Sequence, residues 1–410
     1  MRRKNFIEAI CLLLFFAVFF TPRAFEFLPF VSSFYNKIFL MQCVMLLGAI
    51  VVSATVSFKN LKNIITLGAA IYIISGLLLV VLHGGDYKIF IRTCVHLIAV
   101  LLVVSYELRR KDNCLVEFIA WFFNIMLVIN LVLLILKPDG LGSLLTYSED
   151  MAHRQLDRVN FLEVDNRLSL PVLISIAASY LLPDKKINRV LRVISLVVGG
   201  ATNLLTMSGT GIGSYCVMLL YVVFIHKTKL REKLVNMKTL LIAYFGCTLL
   251  IVYAGLIPPL RHVIQEVLHK DITFSGRTYI WESCIKMISY HPFIGYGNFD
   301  SGWIIKWNGI MRNAHNLFFD ILIQGGIILL LGYLLFLLTV FITASDKKNK
   351  KSQLLLVMLF CLFVVMLCES FLDNNYIYLA YSLALLCKYK FADKQDIIKL
   401  LKEKLTIKAR

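Results

Sequence analysis

The chain lacks the marks of a soluble nucleotide-using enzyme. It has no Walker loop and no Gly-rich dinucleotide fingerprint after a strand. No Asp-x-Asp pair is present to hold the divalent cation of a nucleotide sugar. A transferase with these absences would need a donor that is already activated and membrane-borne. Its ten cysteines form no disulfide framework and no zinc spacing. Cys11, Cys43, Cys94, Cys114, Cys216, Cys247, Cys361, Cys368 and Cys387 fall in or beside apolar runs, and only Cys284 lies in a polar stretch. They read as small buried hydrophobes. The start MRRKNFIEAICLLLFFAVFF has no small-x-small cleavage site, so it reads as a retained first helix rather than a signal peptide. Lys and Arg outnumber Asp and Glu by 43 to 25. No basic stripe lies on a folded polar module, which argues against nucleic acid as a partner.

What the chain does have is apolar length. It is 59% hydrophobic, with a mean hydropathy of +0.76. A spanning helix needs roughly 20 apolar residues, and such runs recur without the alternation of a barrel strand. The pattern predicts an all-α polytopic membrane protein with about twelve transmembrane helices. They are expected over 6–21, 38–57, 64–82, 88–106, 114–137, 168–183, 190–207, 209–225, 239–257, 316–343, 353–372 and 375–388. Residues 1–388 then form the transmembrane domain, and 389–410 a basic tail with helical apolar spacing. Basic clusters fall in alternate connections, from Arg2, Arg3 and Lys4 to the lysines after Lys388. The positive-inside rule therefore puts both termini in the cytoplasm.

Two connections on the sparse side break this rule. One, 138–167, holds Arg154, Arg158 and Arg167. The other, 257–315, is a large outer loop before the tenth helix, with Arg261, Arg277, Lys286, Lys306 and Arg312. Cations on the face that normally avoids them point to an anionic ligand, although long loops also translocate regardless of charge. Within 257–315, Ser275 is placed to cap a helix. Ile280, Trp281, Cys284, Ile285 and Ile288 recur on one face of it, as in a helix lying on a membrane. Pro292 ends the helix, and Gly295 and Gly297 permit a tight turn.

Arg277 would sit in the first turn of that helix. Its guanidinium, added to free backbone N–H groups, suits a phosphate or pyrophosphate. His315, with Arg312 before it and Asn316 after it, stands at the mouth of the tenth span, where a neutral imidazole can act as a general base. Arg92 and His96 lie one turn apart on the fourth span. Intramembrane ionisable groups are functional candidates, and snorkelling is the plain alternative for Arg92. Glu369, near the end of the eleventh span, is a weaker candidate for pairing with an arginine.

The run SGRTYIWESCIKMISYHPFIGYGNFD, followed by NAHNLFFDILIQGGIILLLG, resembles the signature region of the O-antigen ligase and polymerase superfamily. The likeness lies in Gly-Arg with an aromatic and Trp281, then Pro-x-x-Gly-x-Gly, then His315–Asn316, then a Gly-rich helix. Nine residues separate His315–Asn316 from Gly326, as in the ligase form, but Leu329 stands where ligases have Gly, Thr or Tyr. LTMSGTGIG resembles the middle segment of the family, with Gly209 and Thr210 where many ligases carry an Arg. A second arginine would then come from Arg158 or Arg167.

The resemblance implies glycan transfer from an undecaprenyl-diphosphate carrier on the outer face of a bacterial plasma (inner) membrane, with no metal and no cofactor. It implies that arginines meet the diphosphate charge and that His315 deprotonates the acceptor hydroxyl, with Tyr279 and Trp281 shaping lipid or sugar contact. Donor and acceptor would both be undecaprenyl-diphosphate-linked oligosaccharides in a polymerase for capsule, exopolysaccharide or O-antigen. A chain-length regulator protein is a partner that such a polymerase accommodates. A ligase would instead deliver the glycan to lipid A core. Leu329 and the missing middle arginine favour the polymerase. A flippase for lipid-linked sugars is the rival from another class, but it would place polar residues at mid-membrane on broken helices.

Overall fold

The computed structural model describes residues 3–35, 37–56, 63–83, 87–108, 113–146, 155–253, 262, 277–297, 305–307, 310–312, 314–346, 348–372 and 374–389. Ser275, Gly276, Arg154, Arg261 and the tail beyond 389 lie outside the described residues. Helices dominate. In chain order they are α1 (Arg3–Phe19), α2 (Pro29–Tyr35), α3 (Ile38–Val56), α4 (Ile64–His83), α5 (Tyr87–Glu107), α6 (Cys114–Leu136), α7 (Ser169–Leu181), α8 (Lys186–Leu205), α9 (Gly209–Leu220), α10 (Leu230–Leu234), α11 (Met237–Tyr253), α12 (Arg277–Tyr290), α13 (Leu317–Ala344), α14 (Lys350–Met366) and α15 (Asn375–Tyr389). A helix occupies each of the twelve apolar runs read from the sequence. Four of them are long and apolar enough to cross a membrane, over Ile64–His83, Phe90–Glu107, Cys114–Leu136 and Leu317–Ala344. Five shorter helices are also apolar.

The packing is layered by burial. Along α7 and α14 nearly every residue is buried, whatever its face. The surrounding helices instead expose large apolar side chains, among them Leu40, Leu47, Leu82, Leu136, Val197 and Phe224. A water-soluble bundle would place those residues inside. Contiguous apolar exteriors of this kind suit a lipid solvent. Against α13, α4 packs at close range. A side chain on Gly68 would strike Thr339, and one on Gly332 would strike Ser75, so small residues let these two backbones approach.

Among the described residues, two antiparallel hairpins interrupt the helical pattern. Strand β1 (Gly142–Thr146) pairs with β2 (Gln155–Val159), from Gly142 opposite Val159 to Thr146 opposite Gln155. Strand β3 (Ile305–Trp307) pairs with β4 (Ile310–Arg312). Both fall in the connections singled out for their arginines, and neither was legible as an apolar run.

A third local feature is a break inside α13. Gly326 adopts φ 60° and ψ −158°, a conformation essentially reserved for glycine. The Pro292–Gly297 segment fills the gap. The backbone N–H groups of Tyr296 and Gly297 donate to the carbonyls of Ile323 and Gln324, both at 2.8 Å. Those of Ile327 and Ile328 donate to Pro292 and Phe293 at 2.8 and 3.2 Å. The polar groups freed by the break thus find partners in the preceding loop, as buried backbone must. The Pro-x-x-Gly-x-Gly and Gly-Gly motifs, read separately in the sequence, are two halves of one joint.

Candidate functional site

The loop helix α12 is held against α13 by a small apolar cluster. Ile280, Cys284, Ala314 and Ile323 are buried together, with Met287, Ile288, Tyr296 and Phe319 around them. Burial, with the charge of Asp320 adding to it, pushes the Cys284 thiol up, so it stays protonated packing material. The expected apolar face needs one correction. Ile285 remains 58% exposed, because it sits about 100° around the helix from Cys284, beyond the stripe that Ile280, Cys284 and Ile288 define. Trp281 fixes the register, since its indole N–H donates to the Ala314 carbonyl at 3.1 Å. Arg277 and Tyr279 lie on the first turn of this same helix. The first-turn N–H groups there have no intrahelical acceptor, so the turn carries partial positive charge toward any anion.

Residue 315 follows directly. His315 has φ 47°, one of two positive values among the described non-glycine residues. An L-residue enters this region only when its surroundings fix it there. The restraint comes from both neighbours. Ala314 is buried under Trp281. Asn316 caps α13, its side-chain oxygen accepting from the Phe318 and Phe319 N–H groups at 3.0 and 3.2 Å. Its amide nitrogen donates to the Leu367 carbonyl at 3.0 Å. Asn316, a candidate for substrate contact by sequence, is thereby committed at both ends of its amide to the scaffold.

The turn after α14 supplies what faces the imidazole. His315 Nδ1 lies 3.3 Å from Glu369 Oε2. The other carboxylate oxygen of Glu369 accepts from Asn166 Nδ2 at 3.1 Å. Next in the chain, Ser370 faces the buried carboxyl of Asp320, which also meets the Ala314 backbone. The Arg167 guanidinium stacks over the Phe371 ring at 5.4 Å. A short helical turn, Asp165–Arg167, delivers both Asn166 and Arg167 to this place. Its chain is anchored by Leu162, whose N–H donates to Asn130 Oδ1 at 3.0 Å and whose carbonyl accepts from the Arg23 N–H at 3.0 Å. Segments near residues 166, 315 and 369 thus converge on one end of the bundle.

The sequence candidates divide under this geometry. His315 and Glu369 come together, with Arg167 stacked on Phe371 two residues beyond Glu369 and Trp281 bonded to the residue before His315. Arg158 does not join them. Its guanidinium pairs with Asp165 at 3.0 Å and donates to the carbonyls of Pro138 and Leu205 at 2.6 and 3.3 Å. That is a brace between β2, the end of α6 and the end of α8. Arg92 is exposed and lies 5.5 Å from the Phe39 ring centroid. One turn on, His96 is buried, with Nε2 2.9 Å from Gln42 Oε1. Both find these partners on α3. Arg312 ends β4, opposite Ile305 at the open end of the hairpin.

Two site residues escaped the sequence reading. Asp320 had a signal, since it is an ionisable residue just inside an otherwise apolar run. Asn166 had almost none, being a neutral amide between Asp165 and Arg167, far in sequence from its partner. Among the described residues, no group of three or more His, Cys, Asp or Glu gathers in a way that could hold a metal ion.

Residues 194–334 match the sequence model of the O-antigen ligase family, in keeping with the O-antigen ligase and polymerase superfamily. The match runs from α8 through α12 and His315 into α13. No curated protein matches the chain.

Proposed function

On the premise that residues 194–334 carry an O-antigen ligase family domain, we propose that this multi-pass membrane protein is a polysaccharide polymerase. It joins undecaprenyl-diphosphate-linked oligosaccharide repeat units on the outer face of the plasma membrane, and the 257–315 loop is the catalytic loop. The observation that carries the reading is the docking of α12 beside His315 through the Trp281–Ala314 hydrogen bond. It ties the helix that begins at Arg277 to the residue before His315.

The chemistry follows from those two groups. His315 takes the proton of the acceptor hydroxyl. The hydroxyl oxygen attacks the anomeric carbon of the donor, and the bond from that carbon to the diphosphate oxygen breaks. The diphosphate leaves with the bonding pair, and Arg277 meets the developing charge. Of the two arginines proposed for the second cation, Arg167 fits better, because it follows directly on Asn166, whose amide meets Glu369. Arg312, Tyr279 and Trp281 are the further candidates for contact with sugar and lipid. A single displacement inverts the anomeric centre. Leu329 and the Gly209–Thr210 pair favour polymerase over ligase.

The test is glycan length in cells whose only copy is His315→Ala or Arg277→Ala, with membrane expression verified. Collapse of the polymer to single repeats supports the polymerase. Loss of all ligated glycan would point to the ligase. An unchanged ladder in both variants would sink the site and return the transporter reading.

A further inference from the structure

We infer that a cation cluster around Arg192, Lys227 and Lys350 binds the headgroup of an anionic phospholipid. The inference stands apart from the glycan reading. The cluster lies at the end of the bundle away from His315, because α14 runs from Lys350 here to the turn that carries Glu369. Several elements meet at this end. Arg192 of α8 stacks over the Tyr180 ring of α7 at 5.3 Å. The same ring meets the His226 imidazole edge-on at 5.9 Å. A π-helical turn after α9, Tyr221–Ile225, sets that imidazole in place, closed by the His226 N–H on the Tyr221 carbonyl at 2.7 Å. His226 Nδ1 lies 3.4 Å from the Tyr221 hydroxyl, and Lys227 follows in the chain. Arg231 of α10 is buried and donates to the Lys348 carbonyl at 3.5 Å, which ties it to the connection before α14.

Carboxylates do not balance these cations. Asp184 is shared by Arg189 and Arg192 at 2.9 and 3.0 Å, and Glu232 pairs with Arg231 at 2.9 Å. Lys227 and Lys350 are exposed, and no ion pair holds either among the described residues. The field of these charges converges on His226. Burial first, then Lys350, Arg192, Arg231 and Lys227, hold its imidazole down at about 4. Arg192 is braced before any ligand arrives. It donates to the Ser179 and Leu182 carbonyls at 3.3 and 2.7 Å and to Asp184 at 3.0 Å. Each terminal nitrogen keeps a second hydrogen for a phosphate oxygen, and a guanidinium already held loses little freedom on binding. The adjoining surface favours a lipid over a free anion. The same α8 exposes Val193 and Val197, and α9 with its π turn exposes Leu220 and Phe224. Such side chains suit acyl chains, and a phosphate at the end of an acyl-facing wall is what a headgroup supplies.

The experiment titrates the full chain, purified in a neutral detergent, with a short-chain phosphatidylglycerol while Tm is followed. Short-chain phosphatidylcholine and inorganic phosphate are the comparison titrants. Phosphatidylglycerol is expected to raise Tm where phosphatidylcholine does not, since a ligand of the folded state stabilises it. Inorganic phosphate should have a smaller effect. In Lys227→Gln/Lys350→Gln the apparent affinity for phosphatidylglycerol should fall by about 5-fold for each lysine lost. Lys185→Gln/Lys186→Gln removes the same charge at the start of α8, outside the cluster, and should respond as wild type. Equal responses to the two lipids overturn the inference, and so does wild-type affinity in Lys227→Gln/Lys350→Gln. An equal loss in both double variants would reveal diffuse surface charge and is also fatal. A gain from inorganic phosphate as large as from phosphatidylglycerol would give the cluster to a free anion and end the lipid assignment. Should the Lys227→Gln/Lys350→Gln protein fail to fold, the two single variants decide, and unchanged affinity in both counts against the site.

Discussion

Gly326 lies so close to Phe293 that a methyl group on its α-carbon would overlap the Phe293 carbonyl. The backbone there is also outside the range open to L-residues. Gly326→Ala is therefore expected to release the loop from α13. The cost is at least about 1–3 kcal/mol from the backbone conformation alone, and glycan transfer should fall with it. Gly213→Ala is the control. It lies within α9 and a Cβ there meets nothing within 4 Å, so it should be neutral or stabilising by about 0.4–1 kcal/mol. Thermal unfolding of the two variants in detergent, followed by a transfer assay, checks both halves.

Asn316 should act through the fold. Asn316→Ala removes the cap of α13 and the bond to Leu367, at about 1–2 kcal/mol for the cap alone. Asn316→Ser keeps an oxygen for the cap and should lie between the alanine variant and wild type in Tm. Should the serine variant fall below the alanine one, the cap would not be what this side chain contributes.

Arg158 and Arg167 are expected to part company. Arg158→Gln loses a partly buried ion pair and two carbonyl contacts, so Tm should fall while KM for the lipid-linked donor holds. Arg167→Gln should raise KM or lower kcat with less effect on Tm. A reversed pattern would transfer the second-cation role to Arg158.

His226 gives a pH signature at the other end of α9. Burial, then the charges of Lys350, Arg192, Arg231 and Lys227, pull its imidazole down from 6.5 to about 4. The folded state therefore binds this proton less readily than the unfolded chain. The stability this group contributes is complete above about pH 6.5 and is lost as pH falls toward about 4. Wild-type Tm should decline across that window more steeply than that of His226→Asn. Parallel curves would mean that the imidazole is as accessible folded as unfolded.

Much of the bundle was legible because apolar length is a local property. The helices α4, α6 and α13 announce themselves in unbroken runs, and Pro292, Gly295 and Gly297 announce the end of α12. The α12 face was legible through Ile280, Cys284 and Ile288, and failed at Ile285 because a spacing rule cannot tell which edge of a stripe its partner covers. His315 stood out through its motif. Its carboxylate partner Glu369 was noticed but matched to an arginine, since nothing in a sequence says which of several distant cations or rings a glutamate will meet. Asn166 was invisible for the same reason, because its role exists only once three separate connections converge.

The joint at Gly326 also bears on how the protein is made. A free α13 in lipid would leave the carbonyls of Ile323 and Gln324 and the N–H groups of Ile327 and Ile328 bare at the break, which hydrocarbon does not tolerate. While alone, the segment must stay a continuous helix, and it can open only where Pro292–Gly297 stands ready to receive those groups. The loop precedes α13 in the chain, so it is already synthesised when the helix enters the membrane. The joint would then form by a late exchange of hydrogen bonds inside the bilayer. A variant with a defective loop would carry a straight α13, inserted and full-length yet never converted into its working form.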